Sequence, residues 1–252
     1  MSSLPRQTFL TAEWRKLIMA QYEVAPEVLL PHVPPGLELD CYSDPAEPGG
    51  RPRCFVSIVG FLFDRVRILG CGVPLHTRFP EINLRFYVAR CEADGTRKRG
   101  VVFLSEIVPR SAITLVARGL YEEPYSTLPM RHAITTAPGT LDVAYDLCRD
   151  GTWQTVAVTA SAESRPMLPG SPEEFITEHY FGYTRRTRGA TSEYAVNHPR
   201  WSIYPIRSTR ITLDCAALYG PAFAGLSSRA PDHVLLAEGS AITVSTGTRL
   251  AT

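Results

Sequence analysis

Lysine is almost missing from this chain. Lys16 and Lys98 are the only two in 252 residues, and every other basic position is arginine or histidine. Imine chemistry needs a lysine amine, so it has two candidate positions here. Net charge is lacking too: 26 basic against 25 acidic residues leave a formal +1. That balance gives no field to draw in nucleic acid or a membrane surface, and neither partner is expected. Apolar windows are short and interrupted by charge, so none spans a bilayer. The segment MSSLPRQTFLTAEWRK has no apolar run of the signal-peptide kind, and the cytoplasm is the expected compartment. No CxxC pair occurs among Cys41, Cys54, Cys71, Cys91, Cys148 and Cys215, which read as reduced thiols, mostly in the core. Cys71 and His76 alone fall close together, and two ligands do not make a zinc site. His32, His76, His132, His179, His198 and His233 are scattered, and an acid–His neighbour pair such as Glu178-His179 faces two ways in a strand. There is no GxSxG elbow around Ser105 or elsewhere, no GxGxxG and no P-loop. Neither metal nor cofactor is expected.

What is present is alternation. Lys16 to Val24 reads as a half-buried strand, with a short helix from Trp14 as the competing reading. Pro26 opens a short helix. Strands are expected over Leu37–Cys41, Arg53–Arg67, Glu81–Cys91 and Gly100–Val108, with Gly60 marking a bulge or a close approach. Ser111 to Leu120 has helical spacing. Further strands are expected over Ala133–Ala137, Thr140–Arg149 and Thr152–Ala162, across Trp201–Cys215 and over Val234–Ser245. Ser171 caps a helix begun by Pro172. No linker or repeat divides the chain, so one domain over 1–252 is expected.

Glu81, Asn83, Arg85 and Tyr87 point one way from their strand, while Ile82, Leu84, Phe86 and Val88 point the other. The apolar set must be core. The polar set is either an ordinary solvated face or the wall of an enclosed cavity, because buried charge must be paired. Glu106, Arg110 and Arg118 are placed to join such a wall or to form an ion-pair network. The basic run Thr184-Arg185-Arg186-Thr187-Arg188 reads as a solvated loop, or as a lid that grips an anion. Tyr180, Tyr183, Tyr194 and Trp201 flank it as core or as an aromatic mouth.

Several segments occur in one recognisable order: Tyr22-Glu23-Val24, Leu29-Leu30-Pro31, VPPGLELD from Val33, FPEINLRFYV from Phe79, and GVVFLS from Gly100. After them come Ala117 to Tyr121, Pro124-Tyr125, GSPEEFITEHY from Gly170, and His198-Pro199-Arg200-Trp201. The set, from about residue 10 to about residue 210, resembles the YqjF-like bacterial family within the acetoacetate-decarboxylase-like superfamily. The resemblance implies a β-rich α+β fold, a barrel or sandwich with few short helices, enclosing a pocket. It also implies that Glu81 lines an active site, as the matching glutamate does in the decarboxylase. The decarboxylase's Gly-Tyr-Pro-Lys-Lys segment has as its counterpart Tyr121-Glu122-Glu123-Pro124-Tyr125-Ser126, with no lysine.

The expected function is therefore a small-molecule enzyme working by acid–base chemistry on a carbonyl or carboxylate compound, of lyase, isomerase or cyclase type, without an imine. Glu81 moves the proton, Arg85 holds an anionic oxygen, and His198 is a third catalytic candidate. Asn83, Tyr87, Glu106, Arg118, Tyr125, Tyr180 and Trp201 are the substrate-binding candidates. The alternative is a non-catalytic protein that binds or senses a ligand in the same pocket. Exposed strand edges allow a homodimer.

Overall fold

Alternating apolar residues make strands the main element of this molecule, seen here in a computed structural model that describes residues 7–72, 77–109, 124–186 and 189–250. The first half contains β1 (Thr8–Glu23), β2 (Glu38–Leu39), β3 (Phe55–Ile68), β4 (Cys71–Gly72), β5 (Phe79–Cys91), β6 (Arg97–Val108) and β7 (Tyr125–Thr127). Then come β8 (Met130–Ala137), β9 (Thr140–Arg149), β10 (Thr152–Ser161) and β11 (Arg165–Pro166), followed by β12 (Phe181–Arg185) and β13 (Thr191–Asn197). The chain closes with β14 (Ser202–Tyr204), β15 (Ile206–Ile211), β16 (His233–Ser245) and β17 (Thr248–Arg249). The helices among the described residues are short: α1 (Pro26–Leu29), α2 (Pro172–Thr177) and α3 (Cys215–Tyr219), with 3₁₀ turns at Leu30–His32 and Pro221–Ser228. The helix anticipated over 111–120 falls outside the described residues.

The larger sheet closes on itself. Following the pairings, β16 joins β1, then β3, β5, β6, β12 and β13, and β13 pairs back to β16. Closure removes the two free edges that an open sheet would expose. The smaller sheet, β15-β10-β9-β8, packs on the outside of this ring. Two cores result. Ile18, Ile58, Ile82, Leu84 and Phe86 pack outward against Leu141, Val143, Tyr145 and Val156 of the smaller sheet. Leu17, Val59, Phe61, Phe63, Phe79 and Val101 belong to a cluster on the barrel's inner side. Ile82, Leu84 and Phe86 are fully buried, and each contributes roughly 1.5–3 kcal/mol of burial.

Gly60 is where the two layers come closest. A Cβ there would lie 2.9 Å from Tyr145 Cδ2, so a side chain would push the sheets apart. Gly239, at φ +81°, pairs with Arg15 of β1, and a Cβ would strike the Trp14 carbonyl.

Two expectations need correction. Cys41 and Cys54 are joined by a disulfide, so not all six cysteines are free thiols. The reason is register. Tyr42 and Arg53 exchange both backbone hydrogen bonds, at 2.9 and 2.8 Å, which sets the flanking Cys41 and Cys54 opposite each other. Cys71, Cys91, Cys148 and Cys215 remain free. The basic run after Tyr183 is not simply a loop: Thr184 and Arg185 end β12, and Arg185 donates to the Val33 carbonyl. No helix among the described residues is long and apolar enough to cross a membrane.

Candidate active site

The inward face of β5 carries charge into the barrel. Glu81 and Asn83 are 2% exposed and Arg85 is 9% exposed, so this face is enclosed rather than solvated. All three line a cavity of about 180 Å³ inside the ring. Its other walls are largely aromatic: Trp14, Phe61, Phe63, Phe79, Phe103 and Trp201.

A β-bulge completes the polar patch. On β6, Val101, Phe103 and Glu106 all line the cavity. Strict alternation forbids this, since 103 and 106 lie an odd number of residues apart. The register against β5 shifts between Leu84↔Ser105 and Arg85↔Phe103, which re-aims Glu106 inward opposite Asn83. Tyr125 on β7 pairs in register with Glu106 and places its hydroxyl 3.4 Å from Glu81 Oε2, beside the same carboxylate. Asn83 Nδ2 donates to Glu81 Oε1 at 2.9 Å. Glu81, Asn83, Glu106 and Tyr125 therefore form one contiguous buried group.

Arg85 stands out electrostatically. Its Nη2 meets Met19 Sδ at 3.8 Å, a weak acceptor, and its Nε is buried with no hydrogen-bond partner. The Tyr87 ring lies 6.0 Å from the guanidinium. Arg85 forms no ion pair with any carboxylate among the described residues. A buried cation without a counter-ion costs several kcal/mol, which makes the site receptive to an anion.

Two histidines reach the cavity, and the sequence pattern singled out one. His198 donates Nδ1–H to the Pro199 carbonyl at 3.0 Å and stacks on Trp201 at 4.2 Å. Burial holds its pKa below the ordinary imidazole value. His179 follows α2, whose start is fixed by Ser171 accepting from the Glu174 amide. Its partner is not the adjacent Glu178 but Asp40, at 3.0 Å from Nε2. Burial pushes the His179 pKa down to about 4, aided by the Arg99 and Arg85 charges and opposed by Asp40. Asp40 also binds Arg97 and Arg99; burial alone would raise its carboxyl, but the bonds and charges of His179 and Arg99 bring it below the usual range.

Of the anticipated residues, Glu81, Asn83, Arg85, Glu106, Tyr125, His198 and Trp201 line the cavity together. Tyr87 does not: its hydroxyl donates to Gln21 Oε1 at 2.9 Å and its ring packs on His179 at 4.6 Å. Tyr180 is likewise a backing residue, donating to Glu178 and lying 4.8 Å from the His198 ring. Arg118 and Arg110 fall outside the described residues. Neither lysine lines the cavity: Lys16 is tied to Glu238 and Tyr204, and Lys98 to Glu92 and Glu193. Sequence reading missed His179, Asp40, Trp14 and Thr177. Asp40 and His179 both lie within the family-like segments, but nothing local links two residues 139 apart. Among the described residues no group of three or more His, Cys, Asp or Glu could hold a metal ion.

Comparison with known proteins places this geometry in context. The sequence matches the DUF2071 family, described as "Uncharacterized conserved protein", over residues 11–241. None of the curated proteins matches it. The fold is similar to acetoacetate decarboxylase from Legionella pneumophila, at 14% identity and TM-score 0.59, covering 100% of this chain and 91% of that one. It is also similar to an acetoacetate decarboxylase-like enzyme from Sphingomonas wittichii RW1, at 11% identity and TM-score 0.60, covering 98% and 94%. A third similar structure is the enduracididine biosynthesis enzyme MppR, complexed with the condensation product of pyruvate and imidazole 4-carboxaldehyde. There the identity is 14% and the TM-score 0.61, with 98% and 91% covered.

Proposed function

This chain belongs to the DUF2071 family and has the acetoacetate-decarboxylase-like fold, and on that premise we propose that it is a small-molecule enzyme acting on a carboxylate-bearing carbonyl compound. The observation that carries the reading is Arg85, a buried guanidinium with no ion pair to a carboxylate among the described residues and with its Nε unbonded, on the same strand face as Glu81. Arg85 supplies a charge-assisted site for a carboxylate or enolate oxygen. Glu81, oriented by Asn83, is the proton-transfer group. The aromatic walls hold the apolar body of the substrate and keep water away from the charged groups.

The chemistry is proton transfer at a carbon beside a carbonyl, as in a lyase, isomerase or cyclase, and proceeds without an imine. Both lysines are engaged in ion pairs away from the cavity, which supports that part of the reading. The pyruvate-derived adduct held by MppR supports carbonyl substrates for this fold. We place the activity in the cytoplasm, a setting that suits the four free cysteines better than the Cys41–Cys54 pair.

A thermal-shift panel tests the proposal. Small keto acids, polyketide-like carbonyl compounds and neutral controls are compared on the wild type and on Arg85→Ala. Ligands that bind only the folded state raise the midpoint. Acids are expected to shift the wild type and not the variant. Equal shifts in both proteins, or none, would remove the support that Arg85 gives. Turnover of a bound acid then separates an enzyme from a binding protein.

A further inference from the structure

His179 is a polar device that the proton-transfer reading leaves unused. Its ring is clamped between Tyr87 and Phe175, with centroids at 4.6 and 5.2 Å. Asp40 meets Nε2 at 3.0 Å and is itself held by Arg97 at 3.1 Å and Arg99 at 2.6 Å. Two arginines keep that carboxylate ionised, so it can only accept. Nε2 must therefore carry the ring proton, and Nδ1 carries a lone pair. Nδ1 is buried with no hydrogen-bond partner among the described residues, and His179 lines the cavity. Burial pushes its pKa down to about 4, so the ring is a neutral acceptor near pH 7.

Asn83 makes the same demand. Its Nδ2 is committed to Glu81 Oε1, which assigns the amide orientation, and its Oδ1 is buried without a partner. Among the described residues the cavity thus presents two acceptors without a hydrogen-bond partner, His179 Nδ1 and Asn83 Oδ1, and two such donors, Arg85 Nε and Trp14 Nε1. A plain carboxylate satisfies Arg85 and has no hydrogen for the two acceptors. A ligand that also carries an O–H group satisfies both kinds of site. A cavity of about 180 Å³ restricts it to something smaller than a drug-sized molecule.

We infer that the cavity takes a small carboxylic acid bearing a hydroxyl or enol O–H, its carboxylate on Arg85 and its O–H donating to His179 Nδ1. This inference rests on Arg85 being the carboxylate site, and it adds the hydroxyl as the specificity element. An unpaired buried acceptor is costly, so the hydroxyl should raise affinity by about tenfold or more.

Calorimetry on the full-length protein tests this with three matched probes: 3-phenyllactate, 3-phenylpropionate and phenylpyruvate. The wild type should bind phenyllactate about tenfold or more tighter than phenylpropionate. His179→Gln retains a donor toward Asp40 but moves the acceptor; it should abolish that preference and leave phenylpropionate binding unchanged. Tight phenylpyruvate binding that is also lost in His179→Gln would identify the enol as the source of the O–H. Equal affinity for phenyllactate and phenylpropionate in the wild type would overturn the inference while leaving Arg85 as a carboxylate site. Failure of all three acids to bind, or unchanged binding in Arg85→Ala, would overturn both. Nitrogen NMR of histidine-labelled wild type requires no variant. The proton is expected on His179 Nε2, with the Nδ1 signal moving on addition of phenyllactate; a proton on Nδ1 overturns the inference.

Discussion

Asn83 donates to Glu81 across two residues of one strand, at 2.9 Å, with both side chains inside a closed barrel. The amide holds Oε1, and the Tyr125 hydroxyl lies beside Oε2. Replacing Glu81 with Gln keeps the shape and removes the proton carrier. Turnover of a substrate identified by the binding panel should fall by roughly 10²–10⁴-fold, while acid affinity, which rests on Arg85, stays within a few-fold. Steady-state kinetics beside calorimetry checks this, and undiminished turnover removes Glu81 from its assigned role.

Arg85 should trade stability for binding. Its guanidinium is buried and, among the described residues, has no carboxylate partner. Arg85→Met replaces it with an apolar chain of similar length that packs against Met19. Unfolding free energy should rise by about 1 kcal/mol or more, and the response to carboxylic acids should vanish. Chemical denaturation with and without acid measures both effects.

The pH dependence follows from His179. Its folded pKa, about 4, lies below the ordinary histidine value of 6.5. Between these values the unfolded chain binds the proton and the folded chain does not. Stability is therefore fully present above about pH 6.5 and falls as the pH drops toward 4. The slope from this one group is at most about 1.4 kcal/mol per pH unit. His198, also depressed by burial, adds in the same direction. Asp40, whose folded pKa is lowered, acts at lower pH: its contribution is lost only as the pH falls through that depressed value. Urea titrations from pH 4 to 7 should show a shallower slope in His179→Gln than in the wild type.

The Cys41–Cys54 bond closes a loop spanning 13 residues at the start of β3. Reduction, or Cys41→Ser, should cost about 2–3 kcal/mol of stability. Alkylation mass spectrometry on the unfolded chain should label the four free cysteines before reduction and all six after it.

Much of the architecture was legible because period-2 alternation survives wherever a strand has two different faces. Glu81 to Val88 is the clearest instance: Ile82, Leu84 and Phe86 pack outward while Glu81, Asn83 and Arg85 face the cavity. Whether that polar face met water or an enclosure was not legible, since closure depends on β13 returning to β16, a pairing of residues far apart in sequence. Tyr87 shares the parity of Arg85 yet backs the site, because the cavity ends before it. Glu106 faces inward through a bulge at Leu104 that no local signal marks. His179 is not legible as a site residue because its partner Asp40 lies 139 residues away in sequence. The Cys41–Cys54 pair was hidden for a similar reason: opposition across the Tyr42–Arg53 bridge is a property of register, not of spacing.

The central claim is that the charged residues inside the barrel form a ligand site for a small acid. A crystal structure of the protein with 3-phenyllactate or phenylpyruvate tests it most directly. The account predicts the carboxylate within hydrogen-bond distance of the Arg85 guanidinium and the ring among Phe61, Phe63 and Trp201. An acid bound elsewhere, with Arg85 paired to a protein carboxylate and the barrel closed around its own side chains, would contradict it.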